Sequence, residues 1–183
     1  MIRRSFLLLA GSALILSACG FQLRGEQNYA FKRLAIVGAP PPVAARLTRL
    51  VQGGSDSVVV QSPANADAIL HITETRSFST LTLNTLGVVE EYQVNYWLNY
   101  TLTAPDGSML IHPSTIALNR AMTYSDQFST AKVTESDLLF ADMQNDAVDQ
   151  LTRRLAVLRT LHPTPDQVVP GVAPGAPLPP PPL

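Results

Sequence analysis

From Tyr92 to Leu102 apolar and polar residues alternate without a break. Tyr92, Val94, Tyr96, Leu98, Tyr100 and Leu102 occupy one parity, and Gln93, Asn95, Trp97, Asn99 and Thr101 the other. Successive side chains of a strand point to opposite faces, so this run predicts a strand with one buried face and one mostly polar face, in an antiparallel sheet covered on one side. Pro105-Asp106-Gly107-Ser108 reads as a tight turn. A hairpin partner follows, with Ile116, Leu118, Met122 and Tyr124 on its apolar parity and Arg120 in the same register. Pro113 has no N–H for a ladder, which places this strand at an edge or gives it a bulge. Upstream, a strand from Ile69 to about Leu83 carries Leu70, Ile72 and Phe78 on one parity, interrupted by Glu74 and Arg76. Either the strand outruns the core that covers it or a bulge breaks the pattern. Asn84-Thr85-Leu86-Gly87 is the turn between these two long strands, with Asn84 and Gly87 suited to positive φ.

The period changes at either end of this region. Val43, Leu47, Leu50 and Val51 form a helical stripe after Pro40-Pro41-Pro42, with Arg46 and Arg49 off the stripe and Gly53-Gly54 as the stop. A second, longer helix starts at the capping-box-like Thr134-Glu135-Ser136-Asp137 and buries Phe140, Met143, Ala147, Leu151, Leu155 and Leu158. Phe31 to Gly38 ends in an apolar, β-branched run and reads as a first strand, while Val58-Val59-Val60 is only a short β-prone run. The expected architecture is α+β: a two-layer sandwich, two helices on one face of a four-stranded, mostly antiparallel sheet, in the order β-α-β-β-β-α.

Composition changes the picture at the termini. Arg3-Arg4 followed by the apolar stretch Phe6 to Leu16 is too short for a permanent bilayer span of ~20 residues and has the form of a secretory signal peptide. Leu16-Ser17-Ala18-Cys19 resembles the bacterial lipobox, and Cys19 is the single cysteine of the 183-residue chain. The resemblance implies cleavage after residue 18 and a covalent diacylglyceryl and N-acyl chain (palmitate among them) on Cys19. Two or three acyl chains on one residue give near-permanent anchorage where one gives only marginal binding. Gly20, in place of an aspartate, points the anchored protein to the outer membrane of a Gram-negative envelope. At the other end, residues 163–183 hold most of the 15 prolines and read as a disordered or polyproline II spacer, with a proline-recognition ligand as the alternative. The folded domain is thus expected over residues 19–162.

Charge and motif content exclude more than they assign. Acidic residues number 14 against 13 Lys+Arg, and loss of Arg3 and Arg4 with the leader deepens that imbalance, so bulk nucleic-acid binding is not expected. The three histidines, His71, His112 and His162, lie far apart, and no nucleophile elbow or phosphate-binding glycine loop occurs. Asp142, Asp146 and Asp149 sit at i, i+4, i+7, a spacing that fits a cation but more often a solvated helix face. An enzyme is not expected, nor a metal, nor a cofactor beyond the lipid on Cys19. Binding remains. Arg76 and Arg120 are strand cations that either neutralise phosphates or pair with acids such as Glu74. Trp97, on the polar parity, either anchors a partner or a lipid or lies under the tail.

The segment Cys19-Gly20-Phe21-Gln22-Leu23-Arg24-Gly25 resembles the mature N-terminus of the LPS-assembly lipoprotein LptE family, in which Cys-Gly-Phe-x-Leu-Arg-Gly follows the leader. That resemblance implies a plug in the lumen of an LptD-type outer-membrane β-barrel, which the plug helps to assemble. The pair would move lipopolysaccharide into the outer leaflet, with the domain on the periplasmic side and inside the barrel. It also implies lipopolysaccharide binding, for which Arg76 and Arg120 are the nearest candidates by position, with Trp97 a candidate partner contact. An accessory lipoprotein of another envelope lipid transporter is the competing expectation.

Overall fold

The computed structural model describes residues 27–125, 129–162 and 170–171. The leader, Cys19 and most of the Pro-rich segment lie outside the described residues. The order is β1 (Arg33–Val37), α1 (Pro41–Gly54), β2 (Val58–Val60), a 3-10 turn (Pro63–Asn65), β3 (Ala68–Leu83), β4 (Val89–Thr103), β5 (Met109–Thr123) and α2 (Ser129–Leu155). The sheet is five-stranded, in the order β2-β1-β3-β4-β5.

The expectation of four strands is corrected by one. Val58–Val60 is too short to show alternation, and pairing makes it a strand: it lies parallel to β1, with Arg33 opposite Val58 and Ala35 opposite Val60. β1 also runs parallel to β3, Leu34 opposite Ala68, so the sheet is mixed, while β3, β4 and β5 are antiparallel. Gly38 closes β1 at φ +78°, and a Cβ there would lie 2.6 Å from the Ile72 carbonyl oxygen, so only glycine fits without strain.

Both expectations for Pro113 hold: β5 is an edge strand, and its register with β4 shifts between Tyr100 opposite Ser114 and Leu102 opposite Ile111. Glu74 and Arg76 do not mark a bulge, because β3 stays in register with β4 through both and slips only around Thr80 to Leu83. In the Asn84–Gly87 turn only Gly87 takes positive φ, at 77°. Asn84 instead accepts from the amides of Leu86 and Val88, each at 2.9 Å.

The two helices pack on one face and on each other, joined by Arg46, whose Nη2 donates to both carboxylate oxygens of Asp149 at 3.0 Å. Between them and the sheet lie Leu34, Leu47, Leu70, Leu98, Leu102, Met143 and Leu151, all fully buried. Helix α2 begins at Ser129, five residues before the capping-box pattern, so Thr134 stands inside the helix and does not cap it. Among the described residues no helix is long and apolar enough to cross a membrane.

The layers differ in length, and that difference positions the candidate site. Strands of 15 or 16 residues span ~50 Å, whereas the 14-residue α1 covers only ~21 Å. β1, β2 and α1 therefore thicken one end, here the near end. At the far end, around the Asn84–Gly87 turn, three strands continue with only the first turns of α2 beside them.

Candidate functional site

The far end begins where the apolar parity of β3 turns polar. Glu74, Arg76 and Phe78 lie opposite Leu98, Tyr96 and Val94 of β4, on the helix-bearing face. The side chain of Glu74 is only 9% exposed. A carboxylate so placed needs hydrogen-bond donors, and it has them: the Tyr96 hydroxyl at 3.0 Å, Gln144 Nε2 at 2.7 Å and Arg76 Nε. Burial pushes the Tyr96 phenol up from its ordinary value, and the Glu74 charge adds to the rise. Tyr96 thus remains a neutral hydroxyl donor. This network fastens α2 to the sheet where the continuous apolar core ends.

Arg76 and Arg120 come to the two flanks of α2, on the same face. Arg76, from β3, pairs with Glu74 and sits 5.0 Å above the Phe140 ring. Arg120, from β5, reaches Asp146 at 2.8 Å and Asp142 at 3.7 Å. Both arginines are thus paired with acids, the alternative that their sequence context held open. The acidic row at i, i+4, i+7 is likewise accounted for: Asp142 and Asp146 meet Arg120, and Asp149 meets Arg46. Among the described residues no group of three or more His, Cys, Asp or Glu comes together as a metal site.

Trp97 lies on the opposite face, which no helix among the described residues covers, half-buried, with Thr75 beside it on β3 and Ala117 on β5. Asn95 and Asn99 flank it along the strand, so one large ring stands in a field of uncharged polar side chains. Past the Glu74 network, an apolar cleft of about 360 Å³ opens between the sheet and the first turns of α2, lined by Phe78, Tyr92, Met122, Tyr124 and Val133, with Lys132 and Ser136. Sequence reasoning missed this cleft. Its walls come from four elements, and no local pattern brings them together.

This two-layer domain matches the family described as LptE: Lipopolysaccharide-assembly over residues 27–155, from the first described residue to the end of α2. The chain belongs to the LptE family. Similar proteins agree with that membership. The chain is 27% identical over 166 residues to an LPS-assembly lipoprotein LptE of Yersinia enterocolitica, covering 86% of this chain and 78% of that one. It is 28% identical to the LPS-assembly lipoprotein LptE of Pectobacterium atrosepticum, covering 86% and 88%. Among solved structures, the solution structure of an uncharacterized lipoprotein B from Nitrosomonas europaea has a TM-score of 0.64 at 28% identity, covering 75% of this chain and 90% of that one. The rare lipoprotein B of Shewanella oneidensis shares the fold, with a TM-score of 0.56 at 22% identity over 68% and 93% of the two chains.

Proposed function

We propose that this LptE-family chain is an outer-membrane lipoprotein, anchored through acylated Cys19, that plugs and helps assemble an LptD-type β-barrel and with it moves lipopolysaccharide to the outer leaflet. The observation that carries the reading is the family match across the whole two-layer domain. The far end supports it. Three long strands present a face of Asn, Thr and Ser around Trp97, and such a face suits the polar interior of a large barrel. Trp97 is the contact we assign to that barrel wall.

Arg76 and Arg120 are the groups we assign to lipopolysaccharide phosphates. Guanidinium binds phosphate through two parallel hydrogen bonds, and here each arginine would exchange a carboxylate partner for the lipid. Charge reversal at both, Arg76→Glu with Arg120→Glu, should weaken lipopolysaccharide binding by the purified protein; unchanged binding removes them from the role.

The deciding experiment is purification of the full chain from membranes of its own host. Recovery with a β-barrel of the LptD type, and loss of surface lipopolysaccharide on depletion, is the expected result. Normal barrel and surface lipopolysaccharide after depletion would instead indicate an accessory of another envelope lipid transporter. Labelled palmitate should attach to the wild-type chain and not to Cys19→Ser.

A further inference from the structure

The cleft at the far end owes its existence to one residue on α2. Phe140 is the last large apolar residue of the helix's buried stripe; one turn earlier the stripe continues at Ser136, which is 8% exposed and too small to fill the space. The aromatic and aliphatic walls of Phe78, Tyr92, Met122 and Val133 are left facing a volume of about 360 Å³, within the ~300–1,000 Å³ typical of ligand pockets. It is open to solvent, since Phe78 is 49% and Val133 62% exposed.

On the helix side the polar groups of the wall are already engaged. Ser136 donates to the Val133 carbonyl at 2.8 Å, and Lys132 Nζ donates to Glu135 at 2.7 Å and Thr123 at 3.0 Å. The interior therefore fits methylenes and offers little to a polar ligand. Among the described residues, cations stand at its margins: Lys132 on the helix side, and Arg76 above Phe140, whose ring is 5.5 Å from that of Phe78.

We infer that this cleft seats one saturated acyl chain of lipopolysaccharide, with the lipid's anionic headgroup held at the Lys132 and Arg76 margin. This rests on the lipopolysaccharide reading above and deepens it by giving the apolar half of the ligand a place. The chain's own anchor is the poorer occupant on grounds of charge: a diacylglyceryl and N-acyl group on Cys19 carries no anionic headgroup to meet the Lys132 and Arg76 margin, whereas lipopolysaccharide carries phosphates beside its acyl chains.

The test is photolabelling of the full chain with diazirine-bearing myristic acid, mapped by mass spectrometry, on the wild type and on Cys19→Ser. Label should concentrate on the peptides holding Tyr92, Met122 and Val133, to equal extent in both proteins; label that appears only in Cys19→Ser would assign the cleft to the anchor and overturn the proposal. Val133→Trp, at the exposed rim, should cut labelling at least about tenfold, equivalent to roughly two buried methylenes of contact, with an unchanged melting temperature. Met122→Trp should also cut labelling from the floor, with a lowered melting temperature because Met122 is buried. Purified lipopolysaccharide should displace the probe more effectively than phosphatidylglycerol vesicles; equal displacement by both overturns the assignment to lipopolysaccharide. Unaltered labelling in Val133→Trp dismisses the cleft while leaving barrel co-purification, and the reading it supports, untouched.

Discussion

The same three long strands run through the near and far ends of the sheet, and the two ends differ in what is added to them: β1, β2 and the helices at one, only the first turns of α2 at the other. At the near end Leu34, Leu70, Leu102, Leu47 and Leu151 are fully buried between sheet and helices, and the strands read as a clean alternation. Beyond Ile72, β3 carries a carboxylate, a guanidinium and a half-exposed ring on the same parity, and Leu81, Leu83, Leu86 and Val88 stand exposed around the turn. Folding stability is concentrated at the first end, and exposed apolar surface at the second. The lesson is that one strand can serve both when the helical layer is shorter than the sheet.

The sharpest way to break this contrast is truncation in the near core. Leu102→Ala should cost about 2–5 kcal/mol in a urea melt, since a fully buried leucine leaves a cavity behind. Glu74→Ala should come next, about 1–3 kcal/mol, because Gln144 Nε2 and the Tyr96 hydroxyl lose a partner in a partly dry site. Hydrogen exchange should speed up mainly in the first half of α2; an even increase over the whole domain would show that the network does not divide the two ends.

Asp67 gives a smaller, pH-dependent effect. It accepts from Arg33 Nη2 at 2.6 Å and from the Arg33 and Lys32 amides, and the Arg33 guanidinium holds its carboxyl below the ordinary 3.8. A carboxyl depressed on folding stabilises the fold above its unfolded value and loses that contribution as pH falls through the folded one. Asp67→Asn should therefore lower stability by about 1 kcal/mol at neutral pH. The gap from wild type should close below about pH 4; a gap constant with pH would contradict the ion pair. Smallest of all, Leu86→Ala at the far turn, where the side chain is 85% exposed, should change stability by less than about 0.5 kcal/mol.

How much of this was legible in the sequence follows the same division. The period-two run from Tyr92 to Leu102 and the stripe from Phe140 to Leu158 place a strand and a helix correctly, because both are covered by the core along those lengths. Val58–Val60 is not legible as a strand, because three residues carry no period and its partner is distant in sequence. The start of α2 is not legible either, because its first turns lie past the core, where no apolar stripe announces them. Arg76 and Arg120 could be named as strand cations, with acids as one possible partner. Which acids they meet depends on how α2 lies across the sheet.

Pro113 has a meaning beyond its own strand. It interrupts the outer rim of β5, and the opposite rim of the sheet is the three-residue β2. Both interruptions lie at the near end. Beyond them β5 runs on from Ser114 to Thr123, and β3 continues past His71, where its pairing with β1 stops. Among the described residues the far half of the sheet thus keeps two unpaired strand borders, and such borders are ready templates for a strand of another chain. Crowded molecules are blunted at one end and open to β-pairing at the other.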